Sequence, residues 1–276
     1  MENPIDKFFP LKDGNQLFYQ YNFTDAALPT VIFLNGLSQS TLSWGAIAPA
    51  FTGEYNTLLV DLVFQGKSSA DGAFRTYDQH AADITALVEF LGIEHPVLCG
   101  LSYGSAVAQH AMVLFPDVYE AGILMSTFGH NTAVFNATGE SWKSALHAGG
   151  YPLLLDIMLP TVLGASYFEK PLIPIVTLKE MRVSNNLAPD NRFKLMMATE
   201  VRGDYRPKLK GIHIPVLVIH GEEDALIPVS TAGEVADQLP SSEFVVLEKV
   251  GHTLNLEAIP QVTMLAKNFL ADLRDQ

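Results

Sequence analysis

The segment Gly100-Leu101-Ser102-Tyr103-Gly104 has a composition and spacing that suit nucleophilic chemistry. An apolar run at residues 96–99 precedes it, and a helix-like segment at residues 105–115 follows it. Glycines on both sides of a serine permit a sharp strand-to-helix turn, which lifts the hydroxyl above the carboxyl edge of a sheet. A turn of small residues that merely contains a serine would match the same pattern. The flanking strand and helix favour Ser102 as a nucleophile.

A serine hydroxyl needs a general base, and the base needs an acid that orients it. Asp224 follows the apolar run at residues 215–220, and His252 follows the run at residues 243–247. The carboxyl ends of parallel strands meet at one edge of a sheet. We therefore expect Ser102, His252 and Asp224 to lie together as nucleophile, base and acid.

Other titratable residues compete for these roles. Glu222 and Glu223 are the nearest alternatives to the proposed acid, and we interpret them as solvated loop residues. We also interpret three further histidines as solvated: His80 and His95 near the ends of a surface helix, and His213 before a strand. Neither H-E-x-x-H nor paired Cys/His spacing occurs, so we expect no metal site and no cofactor.

Acyl transfer also needs donors for an oxyanion, usually two backbone N–H groups. We predict the amide of Tyr103 as one donor and that of Leu37 as the other. Leu37 belongs to the loop Asn35-Gly36-Leu37, which follows the apolar run at residues 30–34. Gly36 lets the backbone approach a substrate closely. An ordinary strand-ending turn would have the same sequence.

A substrate pocket is predicted next to these groups. We expect Asn35, Gly36, Trp44 and Phe128 to contact the substrate, beneath a segment rich in Met and Leu. Such side chains form apolar acyl pockets. The alternative is that they only pack this segment onto the sheet.

The elements that must position these groups are short, continuously apolar runs separated by segments with helical spacing. Continuous rather than alternating runs are typical of parallel strands covered on both faces. Strand–helix alternation predicts an α/β protein with a doubly wound, mostly parallel sheet. The predicted strands are residues 30–34, 56–60, 96–99, 122–126, 215–220 and 243–247, and the predicted helices are residues 77–92, 105–115 and 260–273.

The alternation breaks between about residues 130 and 207. This stretch is far longer than a simple crossover and is rich in proline and methionine. We predict a core of residues 1–129 and 208–276, with residues 130–207 as a helical cap folded over the sheet.

These features together resemble the α/β-hydrolase superfamily over about residues 11–273. The resemblance is carried by the serine motif, the late acid and histidine, the Asn-Gly loop and the segment Asp61-Leu-Val-Phe-Gln-Gly-Lys-Ser68. It implies the α/β-hydrolase fold with its cap between the sixth and seventh strands, and a triad of Ser102, His252 and Asp224. A serine nucleophile disfavours the haloalkane dehalogenases and epoxide hydrolases, which use aspartate.

Two departures from the superfamily pattern point to a smaller group. Asn35-Gly36 stands where His-Gly is usual, and Phe64-Gln65 stands where Gly-His is usual. Both are similar to the acyltransferases that join two 3-hydroxyacyl chains into the lipid part of rhamnolipids. The serine motif instead resembles that of a general esterase.

Composition restricts the partners and the compartment. The chain carries 30 Asp and Glu against 17 Lys and Arg, a formal net charge of −13, which argues against a nucleic-acid partner. A single cysteine cannot form an internal disulfide and favours a reducing compartment. The sequence shows neither the pattern of a signal peptide nor an apolar stretch long enough to span a bilayer. We expect a cytoplasmic protein.

Three functional hypotheses remain open. The first is a serine hydrolase that cleaves small carboxylic esters or thioesters of apolar acyl groups. The second is an acyltransferase that condenses carrier-bound 3-hydroxyacyl chains, and the third is a ligand-sensing protein of the same fold with slow turnover. The surplus of negative charge favours a neutral ester over an acidic carrier protein. The sequence leaves the oligomeric state open, a homodimer included.

Overall fold

Eight strands form a single sheet in the computed structural model, which describes residues 6–184 and 189–274. The strands are β1 (Asp6–Pro10), β2 (Gln16–Asn22), β3 (Thr30–Leu34), β4 (Asn56–Asp61), β5 (Val97–Leu101), β6 (Ala121–Met125), β7 (Val216–Gly221) and β8 (Ser242–Leu247). Their order in the sheet is β1-β2-β4-β3-β5-β6-β7-β8. The pairs β1–β2 and β2–β4 are antiparallel and the other pairs are parallel. The predicted mostly parallel α/β sheet is confirmed.

The six predicted strands correspond to β3 through β8, whereas β1 and β2 were not predicted. The central strands β3 to β7 are buried along their whole length. The edge strand β8 is mostly exposed, so the expectation that every run is covered on both faces is wrong for β8. Val245 and Leu247 are partly buried against the core, whereas Phe244 and Val246 are exposed, so only one face of β8 is covered.

The described residues also form ten helices and two short 3-10 segments (Thr41–Trp44 and Ala48–Phe51), of which the last two helices follow the final strand and the others connect strands. The helices are α1 (Tyr77–Leu91), α2 (Tyr103–Leu114), α3 (Ala133–Val162), α4 (Ala165–Glu169), α5 (Ile175–Ser184), α6 (Pro189–Val201), α7 (Arg206–Leu209), α8 (Val229–Ala236), α9 (Leu254–Glu257) and α10 (Ile259–Arg274). The predicted stop of α1 is present, since Gly92 follows in the left-handed region with φ 63°.

Helices α3 to α6 occupy the stretch between β6 and β7, where the cap was expected. Helix α3 is interrupted at Gly150, whose φ of 66° and ψ of −160° are not helical. This glycine permits the sharp bend between the two halves of α3. The residue boundaries of core and cap stay predictions. No helix in the described stretches is both long and apolar enough to cross a bilayer.

The two faces of the sheet carry separate apolar clusters. One cluster packs α1, α2 and the inserted helices onto the sheet. The other lies beneath the opposite face and contains Trp44, Cys99 and the apolar side of α10. Burial raises the pKa of the Cys99 thiol, so this thiol stays protonated and behaves as a small core residue.

His80 is buried rather than solvated, which corrects the expectation from sequence. Its side chain has no exposed surface, and neither ring nitrogen has a hydrogen-bond partner among the described residues. The ring packs edge-on against Tyr103, with 5.7 Å between centroids. Burial, with a smaller contribution from the charge of Arg75, lowers the pKa of His80 to about 3. The side chain is therefore neutral at physiological pH.

This burial predicts that His80 weakens the fold in acid. Between pH 6.5 and about 3 the unfolded chain binds a proton that folded His80 does not, so stability falls as the pH falls through that window. Each such group contributes a slope of up to about 1.4 kcal/mol per pH unit. We expect His80→Leu to reduce the slope by about one proton, measured from urea unfolding between pH 7 and 4. Equal slopes for wild type and His80→Leu would refute the assignment.

Candidate active site

Ser102 stands on a strained turn between β5 and α2. Its φ of 52° and ψ of −109° place a non-glycine residue in the left-handed half of conformational space. The turn fits only because its neighbours lack side chains. A Cβ on Gly104 would lie 2.3 Å from the Leu34 carbonyl oxygen, and one on Gly100 would lie 2.4 Å from the Gly104 carbonyl oxygen. The two glycines thus let the turn press against the end of β3.

The structure brings the predicted nucleophile, base and acid into one hydrogen-bonded chain. Ser102 Oγ lies 2.9 Å from His252 Nε2, and His252 Nδ1 lies 2.7 Å from Asp224 Oδ2. His252 and Asp224 are both buried. The loops after β5, β7 and β8 supply the three residues, as the shared carboxyl edge of these strands requires. A carboxylate beside Nδ1 fixes the hydrogen on that nitrogen and leaves Nε2 free to accept one from the serine.

Asp224 is held in place through its other oxygen. Oδ1 accepts hydrogen bonds from the amides of Leu226, at 3.0 Å, and Ile227, at 2.8 Å. Oδ2 therefore remains directed at His252. Three bonds to one carboxylate in a buried loop leave it little rotational freedom.

His220, for which no role was predicted from the sequence, lies beside this carboxylate. Its Nε2 is 2.8 Å from the Ile227 carbonyl oxygen and 3.4 Å from Asp224 Oδ2. Because a carbonyl only accepts, Nε2 carries the hydrogen. Burial lowers the pKa of His220 although the neighbouring Asp224 opposes the shift, so the ring is neutral. The sequence feature that could have identified His220 is its position at the end of an apolar run, four residues before Asp224.

Both predicted oxyanion donors border the cavity at Ser102. Leu37 and Tyr103 contribute to its lining, and neither amide donates a hydrogen bond to another atom of the described chain. The amide of the neighbouring Gly36 is occupied, since it donates to Gln39 Oε1 at 3.3 Å. Two backbone donors are thus free beside the serine hydroxyl.

A network of buried side-chain amides holds the Leu37 loop. Asn35 Nδ2 donates to the Val60 carbonyl and Asp61 Oδ1, and it lies 3.3 Å from Gln65 Oε1. Gln65 Nε2 donates to the Gly36 carbonyl at 2.9 Å. Asn35 and Gln65, two of the three residues that depart from the superfamily pattern, therefore contact each other and together hold the loop that carries Leu37.

Two residues expected to contact the substrate do not border the cavity. Asn35 is fully buried, and its amide is used within the network. Trp44 lies in the apolar cluster beneath the opposite face of the sheet, 5.0 Å from Phe33 between ring centroids, and donates its indole hydrogen to Asn35 Oδ1 at 2.9 Å. The short 3-10 helix after β3 directs Trp44 beneath the sheet. Trp44 therefore supports the loop through Asn35 and does not line the cavity.

We expect Gln65→Met to reduce turnover by about tenfold, less than the loss of an oxyanion donor itself would cost. The substitution keeps the side-chain length but removes one of the two bonds to the Gly36 carbonyl, which then retains only that from the Gln39 amide. It also leaves the buried Leu62 amide without its acceptor, Gln65 Oε1, which costs about 1–3 kcal/mol of stability. Steady-state kinetics and urea unfolding measure the two effects. Gln238→Met, on the far side of the fold, is the control. A destabilised variant with unchanged kcat would show that the network supports only the fold.

The cavity at Ser102 is narrow and mostly apolar, with a volume of about 80 Å³. Gly36 and Phe128 border it as predicted, and Phe128 packs against Phe135 with 5.3 Å between ring centroids. Much of the remaining wall comes from the inserted helices, through Phe135, Trp142, Met158, Leu159, Val162, Leu163 and Thr199. The insertion thus forms one side of the site.

Two larger cavities adjoin this one. A cavity of about 250 Å³ shares Leu37, Phe135, Trp142, Thr199 and Leu226 with it and adds the polar residues Asn131, Asn136, Glu140 and Glu200. A groove of about 330 Å³ shares Ser38 and Gln39 and is otherwise mostly apolar. Within residues 6–184 and 189–274, no group of three or more His, Cys, Asp or Glu side chains is arranged to hold a metal ion.

The proteins similar to this chain in sequence include a lactonase and a carboxylesterase. A sequence model described as the alpha/beta hydrolase family matches residues 31–262. The 3-oxoadipate enol-lactonase 2 of Acinetobacter baylyi is 26% identical over 237 residues, which cover 85% of this chain and 86% of the lactonase. The carboxylesterase YbfK of Bacillus subtilis is 25% identical over 248 residues, which cover 88% of this chain and 80% of the esterase.

Solved structures share the architecture. An alpha/beta hydrolase enzyme from a Medee basin deep-sea metagenome library matches with a TM-score of 0.90 at 23% identity, covering 96% of this chain and 97% of that enzyme. A thermophilic esterase from Thermogutta terrifontis matches with a TM-score of 0.86 at 22% identity, covering 99% of each chain. At these identities the structural likeness establishes the fold.

Proposed function

This chain belongs to the alpha/beta hydrolase family and is a hydrolase, and from that premise we propose that it cleaves carboxylic esters or thioesters of apolar acyl groups. The observation that carries the proposal is the hydrogen-bonded chain of Ser102, His252 and Asp224 at the edge of an apolar cavity. A serine–imidazole–carboxylate chain of this geometry generates an alkoxide-like nucleophile at neutral pH.

Catalysis begins with attack of Ser102 Oγ on the acyl carbonyl carbon. His252 Nε2 accepts the hydroxyl proton, and Asp224 Oδ2 offsets the positive charge that develops on the imidazole. The amides of Leu37 and Tyr103 donate to the oxygen that becomes negative, which stabilises the transition state more than the ground state.

The tetrahedral intermediate then collapses to an acyl-enzyme. His252 donates its proton to the departing alcohol or thiol, and the acyl group remains on Ser102. Water enters, loses a proton to the same Nε2 and attacks the acyl carbon, which releases the acid and restores the serine. The cycle needs no group beyond the chain's own residues and water.

The size and polarity of the site favour short, apolar and uncharged acyl groups. The cavity holds only about 80 Å³, and its wall contains Phe128, Met158 and Leu159. Among the described residues that border the cavity there is no lysine or arginine to pair with an anionic acyl group. The net charge of −13 also disfavours the approach of anions.

Product analysis on a matched panel tests this function. The wild-type protein is incubated with p-nitrophenyl esters from acetyl to dodecanoyl and with the corresponding acyl thioesters, and products are identified by mass spectrometry. We expect free acids, with the highest kcat/KM for the shorter chains. No hydrolysis of any member would contradict the proposal.

The same panel discriminates between hydrolysis and acyl transfer. A transferase is the second candidate, because Asn35 and Gln65, which resemble the corresponding residues of the 3-hydroxyacyl-joining enzymes, together hold the loop that carries Leu37. A transferase would convert 3-hydroxyacyl thioesters into a dimeric 3-hydroxy acid, since a second hydroxyl rather than water would attack the acyl-enzyme. Detection of that dimer as the main product would overturn the assignment as a hydrolase.

A further inference from the structure

The backbone around His252 is held by hydrogen bonds from several consecutive residues. Three successive amides, those of Gly251, His252 and Thr253, all donate hydrogen bonds. The His252 carbonyl accepts a bond from Ser126 Oγ at 2.7 Å. The position of the imidazole therefore depends on the groups that accept these three amide hydrogens.

One carboxylate accepts two of them. Glu257 Oε2 lies 2.9 Å from the Gly251 amide, and Glu257 Oε1 lies 3.0 Å from the Thr253 amide and 2.6 Å from Thr253 Oγ1. The short helix α9 turns the chain so that this side chain, five residues after His252, points back at the loop. Glu257 thus bridges the residues on both sides of the base.

The remaining bonds lead to the inserted helices. The His252 amide donates to the Val162 carbonyl at 3.0 Å, and the Gly164 amide donates to Glu257 Oε2 at 2.9 Å. The two backbones are so close that a Cβ on Gly251 would lie 2.2 Å from the Gly164 nitrogen. The segment 162–166 therefore contacts the base loop directly and also through Glu257.

A second carboxylate holds the same segment without touching the base loop. Glu223 Oε2 accepts the Ser166 amide at 2.8 Å, and Oε1 accepts Ser166 Oγ at 2.7 Å. Glu223 and Glu257 therefore both attach the insertion to the core. Of the two, only Glu257 is also bonded to the residues that flank His252. The Glu257 carboxylate can therefore position the base, whereas the Glu223 carboxylate only attaches the insertion.

We propose that Glu257 is a positioning residue for His252, and that the segment 162–166 is a structural support of the base as well as a wall of the cavity. The proposal rests on the proposed function, because positioning matters only if His252 is the general base. A misplacement of about 1 Å is enough to reduce turnover about 100-fold, even when the substrate is bound as before. The expected signature is a loss in kcat without a loss in affinity.

Glu257→Gln tests the proposal. The amide keeps the size of the side chain but offers one acceptor oxygen instead of two, and its NH₂ group faces backbone N–H donors. We expect kcat to fall about 10- to 100-fold, with KM within about twofold of wild type. Stoichiometric labelling of Ser102 with a fluorophosphonate gives the concentration of competent sites, so that kcat is expressed per folded enzyme.

Glu223→Gln is the matched control. Its carboxamide can still accept the Ser166 amide and donate to Ser166 Oγ, so the insertion remains attached and kcat should stay within about twofold. Thr253→Val removes the hydroxyl bond to Glu257 at 2.6 Å and the long contact with the Val162 carbonyl at 3.5 Å, and it should lower kcat a few-fold. It carries the test if Glu257→Gln does not fold.

The outcomes are distinct. The proposal would be overturned if Glu257→Gln retained the wild-type kcat per labelled site. If only Thr253→Val folds, a wild-type kcat in that variant would overturn it. So would an equal loss in Glu223→Gln, because attachment of the insertion alone would then be what matters. If the wild-type protein hydrolyses no ester, the proposed function fails, whereas the rate of fluorophosphonate labelling in the same variants still reports the placement of His252.

Discussion

Ser102→Ala is expected to lower kcat for ester hydrolysis by about 10⁴-fold or more, to the level left by the oxyanion donors and substrate binding. The substitution removes the hydroxyl that donates to His252 Nε2 and whose oxygen attacks the ester carbonyl in the first step. Alanine adopts the strained φ of 52° at a cost similar to that for serine, so the turn should persist. The loss should therefore be chemical rather than structural.

Initial rates on p-nitrophenyl butanoate and thermal unfolding measure the two properties of this variant. We expect a thermal midpoint close to that of the wild type, together with loss of covalent fluorophosphonate labelling. Ser242→Ala, at the start of β8, is the matched serine control and should retain full activity. Undiminished turnover in Ser102→Ala would refute the nucleophile.

Asp224→Asn should reduce kcat by about 10²- to 10⁴-fold. The amides of Leu226 and Ile227 require an acceptor, so the Asn oxygen should take the place of Oδ1 and its NH₂ group should face His252. The NH₂ group would then donate to Nδ1 and leave the imidazole hydrogen on Nε2. In that tautomer the base has no lone pair to accept the serine proton.

The two neighbouring acids serve as controls for this variant. Glu222 accepts a bond from the Lys249 amide and Glu223 holds Ser166, so neither carboxylate is bonded to His252. Glu222→Gln and Glu223→Gln should each keep kcat within about twofold. If either variant lost as much kcat as Asp224→Asn does, the role of the triad acid would have to be assigned to another residue.

The approximate place of the reacting groups follows from sequence because of a property of parallel sheets. The strands before Ser102, Asp224 and His252 all end at one edge, and the loops that follow them are short. Identifying the strands was therefore enough to predict that the three residues meet. β1 and β2 were not predicted because their apolar runs are short and both strands are partly exposed, β1 as the edge strand and β2 as its neighbour.

The direction of individual side chains did not follow from sequence. Trp44 lies in a one-turn helix, and no periodic pattern shows that it turns beneath the sheet. His80 was identifiable in retrospect, since it falls four residues before Ile84 and eight before Val88 on the apolar side of α1. The contact between Glu257 and Gly164 joins residues 93 positions apart, and only the folded chain reveals it.

The positions of the two tryptophans give the protein two separate optical reporters. Trp44 is sealed beneath the sheet and hydrogen-bonded to Asn35, whereas Trp142 borders the cavity at Ser102. We expect a molecule that enters the cavity to quench or shift the emission of Trp142 and to leave that of Trp44 unchanged. We expect loosening of the Leu37 loop to change the emission of Trp44, whose indole hydrogen is bonded to Asn35, and to leave that of Trp142 unchanged. Intrinsic fluorescence can therefore follow occupancy and loop order in the same sample without an added label.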